Sequence, residues 1–148
     1  MKQKRGFTLV ELMVAVAIIG ILAAFSAPDL GRIYARYKLD GAARLLASDI
    51  REVQQMSISK EHALTIQFLP FEERYRIRDG MNVTKDISMP KGVDLTSVTL
   101  TTGFDLTFTA KGSPSSGGTI ILTNQWEQRR ITVTLATGRV RVYKELKN

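Results

Sequence analysis

Glu11 is the only ionisable side chain in residues 7–28, FTLVELMVAVAIIGILAAFSAP. A lone carboxylate in so apolar a run is costly in lipid and marks a group that needs a partner. Its chemistry is electrostatic: it can neutralise a cation, and by doing so fix how far one helix slides along another. A second constellation lies near the other end of the chain. Gly138-Arg139-Val140-Arg141 sets two arginines two residues apart, so a strand there projects both from one face. Guanidinium groups so placed suit phosphates and would hold a polyanion without reading its sequence, with affinity that falls steeply as salt rises. Arg129, Arg130, Lys144 and Lys147 would widen that patch, and Glu145 is the only acid from residue 129 to 148. A solvated edge strand also collects Lys and Arg, so both readings stand.

The remaining residues exclude several chemistries. With no cysteine there is neither a disulfide framework nor a thiolate metal site, and His62 alone is too few for a histidine metal site or a triad. No carboxylate pair or nucleophile–base pair stands out, so no catalytic residue, metal or cofactor is expected and the chain does not read as an enzyme. The Gly-rich stretch KGSPSSGG at 111–118 lacks the Lys-Ser/Thr of a phosphate loop and no helix follows it, which makes it an ordinary connection. Trp126, in a polar stretch, is either a lid over the core or an exposed interaction residue.

These residues need elements to place them. The 148-residue chain has room for one helix of about 50 residues and one domain of about 90. As a helix, residues 7–28 would extend roughly 33 Å, enough to cross a bilayer core. A cleaved secretory signal and a plain membrane anchor are the ordinary readings of such a run. Its length, the lack of a small-x-small cleavage site after it and the acid within it argue against them. Lys2, Lys4 and Arg5 supply three charges of the net +7 and should keep the N-terminus cytoplasmic. Pro28 is expected to kink the helix rather than stop it. Beyond it, Leu39, Ala42, Leu46, Ile50, Val53 and Met56 form one stripe at helical spacing, with Arg36, Lys38, Arg44, Asp49, Arg51 and Glu52 largely off it. One helix is therefore expected from about residue 7 to 59.

After His62 the period changes to alternation, the mark of half-buried strands. Strands are expected at 64–68, around Tyr75 and Ile77, at 94–100, at 104–110 and at 119–124, with 82–92 a loop holding a short strand near Ile87. Arg74, Arg76 and Arg78 share one face, by default a solvated one. A final hairpin with a two-residue turn at Thr137-Gly138 would pair Leu135 with Val140 and Val133 with Val142, leaving Arg139 and Arg141 on the opposite face.

Lys2, Lys4, Arg5 and Gly6 followed by Phe7-Thr8-Leu9-Val10-Glu11 resembles the class III leader and N-terminus of type IV pilins and type II secretion pseudopilins. Residues 108–120 together with 137–141 resemble the C-terminal half of the GspH/FimT family of minor pseudopilins and minor pilins. The resemblance implies cleavage between Gly6 and Phe7 by a prepilin peptidase, N-methylation of Phe7, and a Glu11 that neutralises a neighbouring subunit's new amine. It implies an α+β fold, a long N-terminal helix packed on a mainly antiparallel two-sheet β domain. The expected division is a leader at 1–6, a transmembrane or filament-core helix at 7–28, its amphipathic continuation at 29–60 and a periplasmic β domain at 61–148. Implied partners are other minor and major pseudopilins or pilins and the inner membrane, with a place near a filament tip. In DNA-uptake members of this branch a Gly-Arg-x-Arg element contacts DNA, which makes Gly138, Arg139 and Arg141, with Arg129, Arg130 and Lys144, the candidate DNA site.

Overall fold

The computed structural model describes residues 7–146, with the side chains of residues 24–29 and 146 set aside. The leader, the Gly6 side of the cleavage site, the Pro28 side chain and Lys147 lie outside what is described.

Helix α1 spans Leu9–Ser59 as one element, so the chain is helical through Pro28. Among the described residues no helix is long and apolar enough to cross a membrane. Two compact units follow one another along the chain, residues 1–34 and 35–148. In the first, the apolar side chains of Leu9, Leu12, Met13, Val16 and Ile19 are all exposed.

In the second unit the helical stripe is the core face. Leu39, Ala42, Ala43, Leu46, Ala47, Ile50 and Val53 are buried, and Met56 packs at the margin. Asp49 departs from expectation: it lies within the buried face, 2 % exposed. Among the described residues eight strands follow, all paired antiparallel, in two four-stranded sheets. The first holds β1 (Leu64–Leu69), β2 (Arg74–Asp79), β3 (Asn82–Ser88) and β5 (Asp105–Phe108) in the order β3-β2-β1-β5. The second holds β4 (Asp94–Leu100), β6 (Gly118–Thr123), β7 (Glu127–Val133) and β8 (Val140–Leu146) in the order β4-β6-β7-β8. Ile66, Phe68 and Leu106 of the first sheet and Ile120, Leu122 and Ile131 of the second join the helix stripe in one core.

Two differences from the sequence reading have clear causes. Residues 82–88 form a full strand where a loop was expected. β3 is an edge strand, nearly every side chain in it is exposed, and so it carries no apolar alternation to be read. The last hairpin is also displaced by two residues: Val133 pairs with Val140, and Ile131 with Val142. Its loop is longer than two residues because the Thr134 carbonyl accepts from the N–H groups of both Thr137 (3.3 Å) and Gly138 (2.8 Å), and the ladder restarts where Thr134 N–H donates to Arg139 O at 3.1 Å. Gly138 closes this turn with φ +64°, and any Cβ there would run into the Gln54 amide. Leu135, expected in the apolar ladder, is left exposed at the loop.

Candidate functional site

At the start of α1, the N–H of Thr8 donates to Glu11 Oε2 at 3.3 Å and its hydroxyl to the same oxygen at 3.4 Å. The N–H of Glu11 returns a bond to Thr8 Oγ1 at 3.3 Å. This is a capping box, T-x-x-E, and it satisfies donors that a helix start leaves open. The sequence held that signal, but the apolar setting of Glu11 drew the reading toward a partner elsewhere. Phe7, the residue expected after cleavage, is fully exposed beside it.

The basic C-terminal hairpin divides into two faces. Strand alternation and register place Gln128, Arg130 and Thr132 of β7 with Arg141, Tyr143 and Glu145 of β8 on the outer face, and Arg139 continues that row. Glu127, Arg129, Ile131 and Val133 look the other way, toward α1. Arg129 is therefore corrected from the candidate list: it is 1 % exposed, with Nε 2.6 Å from Asp40 and Nη2 2.6 Å from Glu127. The lost hydration of Arg129 is offset by two charge-assisted hydrogen bonds, and these keep the guanidinium firmly protonated. Burial acts to raise Asp40, but the hydrogen bond and charge of Arg129, aided by Lys144, hold its carboxyl below the ordinary aspartate value. Lys144 shares the helix-facing side, 3.6 Å from Asp40. Arg130 is on the outer face, but Glu145 takes its charge at 2.8 Å. What remains outward and basic is Arg139 and Arg141, which are exposed, with Tyr143 beside them. The hydrogen bond from Arg141, then its charge, outweighs desolvation and lowers the Tyr143 phenol.

A matching cluster, without a local signal in the sequence, ties the helix to the first sheet. Buried Asp49 accepts from the Tyr75 hydroxyl of β2 and pairs with Lys85 of β3 at 2.6 Å. Burial first, then Asp49, pushes the Tyr75 phenol up, so it stays a donor. Gln54 ties down both flanking loops, donating to Gly112 O at 2.8 Å and to Thr137 O at 3.4 Å. The glycines of the 111–118 loop have structural causes: Gly112 turns with φ +75°, and Gly118 lies against the β4 backbone. Arg74 and Arg76 are tethered to Glu72 and Asp86, which leaves little of the expected basic stripe. Trp126 sits in the β6–β7 turn, 39 % exposed, its backbone N–H donating to Asn124 Oδ1 at 2.9 Å. Among the described residues no cluster of three or more His, Cys, Asp or Glu could hold a metal ion.

One long helix, apolar at its start and fused further on to two antiparallel sheets, defines a type IV pilin-like subunit. The minor pilin FimU of Pseudomonas aeruginosa shares this fold at TM-score 0.59 and 18 % identity, over 73 % of this chain and 90 % of that one. The minor pseudopilin EpsH of the Vibrio cholerae type 2 secretion system does so at 0.57 and 12 % identity, over 72 % and 97 %. Residues 1–27 match the prokaryotic N-terminal methylation motif, and residues 42–138 match the family described as type II transport protein GspH. The chain belongs to the GspH family of pilin-like subunits. It is also 31 % identical over 142 residues to the competence protein ComGD of Bacillus subtilis, covering 96 % of this chain and 95 % of that protein. A fimbrial protein of Pseudomonas aeruginosa is 41 % identical over 64 residues, 37 % of its length.

Proposed function

We propose that the chain is a minor subunit that helps start or cap a type II secretion pseudopilus or a type IV pilus. A prepilin peptidase cuts between Gly6 and Phe7, Phe7 is N-methylated, and the apolar start of α1 stays in the inner membrane until it joins the filament, with the β domain outside the cytoplasm. The observation that carries this reading is α1 itself: one helix leaves the apolar side chains of Leu9, Leu12, Met13, Val16 and Ile19 exposed at its start and lines a domain core with its second stretch. In a filament, Glu11 neutralises the new amine of a neighbour, so two groups costly in lipid become one pair. Glu11→Leu should then be processed and membrane-associated as before, yet be absent from sheared filaments. Thr8→Ala is the control, because it removes the same helix cap at a cost of about 1 kcal/mol but keeps the carboxylate. Incorporation of Glu11→Leu at the wild-type level would refute the pairing, and equal loss in both variants would assign Glu11 to the cap.

A second reading is favoured by the outward pair Arg139 and Arg141, which make no ion pair among the described residues, and by the end-to-end likeness to a competence protein. In this reading the subunit captures DNA through the β7–β8 hairpin. Arg139→Ala/Arg141→Ala should abolish binding at low salt, and wild-type affinity should fall linearly with log salt, with a slope near that of two or three neutralised phosphates, roughly −2 to −3. A salt-independent affinity, or equal binding by the double variant, would leave the arginines as a solvated edge.

A further inference from the structure

Tyr143 has no role in either reading, yet it completes the outer face of the hairpin. Alternation sets it in line with Arg141 and Arg139 along β8, and the register puts Arg130 opposite it and Thr132 opposite Arg141. Tyr143 is 42 % exposed. Glu145 pairs with Arg130 at 2.8 Å, whereas among the described residues Arg139 and Arg141 make no ion pair, and Arg141 and Thr132 both act on the Tyr143 phenol. Arg141 and Tyr143 thus stand two residues apart on the same face of β8. The face therefore offers a positioned cation, a second cation one step along the strand and an open aromatic ring. Alternate side chains on a strand stand about 6.6 Å apart, comparable to the step between phosphates in an extended single strand.

That combination discriminates between forms of nucleic acid. Every base has a π-face, but a duplex closes those faces into its stack, and an unpaired strand can splay them onto an aromatic side chain. We propose that the outer face of the β7–β8 hairpin is a single-stranded nucleic-acid surface, with Tyr143 stacking on a base while Arg139 and Arg141 hold the adjoining phosphates. This rests on the DNA-capture reading and adds both the strand class and the residue that selects it.

The test uses the full chain in detergent micelles, with fluorescence anisotropy of a labelled oligothymidine and of a mixed-sequence duplex of equal length. The single strand should bind more tightly. Tyr143→Ala should weaken it roughly ten-fold, the scale of one lost base–aromatic stack, and leave the duplex unchanged. Tyr143→Phe, which keeps the ring, should retain the preference. If both Tyr143 variants weaken both ligands alike, Tyr143 only positions Arg141 and the single-strand assignment is overturned. Tighter binding of the duplex by the wild type overturns it too, while leaving DNA capture intact. If the wild type binds neither ligand at low salt, DNA capture itself fails and this inference with it.

Discussion

Arg129→Ala lowers the stability of the folded unit by about 3 kcal/mol, read by chemical denaturation. Removing one member of a buried ion cluster leaves its partners uncompensated, at a typical cost of about 3–5 kcal/mol. Here the lower figure applies, because Lys144 stays 3.6 Å from Asp40 and Arg36 stays 3.7 Å from Glu127. The variant also changes the response to acid. Asp40 has a depressed pKa in the folded chain, so its contribution is full above the unfolded value and is lost as pH falls through the folded one. Without Arg129 that acid-dependent loss should shrink. Arg129→Lys, which keeps a charge but not the two-pronged donor geometry, should fall between. An Arg129→Ala protein as stable as wild type would mean that the cluster contributes no net stability.

The second large effect is expected at Gly118. A Cβ there would overlap the Thr99 carbonyl oxygen and lie 2.9 Å from Leu100 Cα, both backbone atoms of β4. Backbone cannot rotate aside as a side chain can, so Gly118→Ala should lift the end of β4 from β6. The expected cost is about 1–3 kcal/mol or more, with faster hydrogen exchange at Thr99 and Thr101, whose N–H groups face β6. Gly41→Ala is the control of opposite sign. Gly41 is exposed in α1 with open space where its Cβ would stand, and alanine there should stabilise by roughly 0.5–1 kcal/mol. Unaltered exchange in β4 would refute the close approach.

The sequence exposed what has a period. The stripe from Leu39 to Met56 located the helix core, and β4 fell at the expected residues because Leu95, Val98 and Leu100 give it apolar positions. β3 was missed because an edge strand with both faces wet has no period to show. The hairpin register was misplaced because Thr137-Gly138 suits a two-residue turn, and nothing local says that Gly138 must also fit beneath Gln54. Arg129 shows the same limit in the site. In sequence it is one more cation in a basic tail, and only the parity of β7 against α1 turns it inward to Asp40. Glu11 was legible as an anomaly, and the box with Thr8 was equally legible from the T-x-x-E spacing.

The attachments of α1 to its domain are spread along the helix. Asp40 holds the second sheet, Asp49 holds the first about 13 Å further along the axis, Arg51 reaches Val140 O at 3.2 Å, and Gln54 holds both loops. Tension applied along the helix would load these contacts together, in shear, and drawing the helix out would require them to yield in parallel. A force applied sideways at β8 or β3 would meet them one at a time. The domain is thus mechanically anisotropic, stiffest along the helix axis.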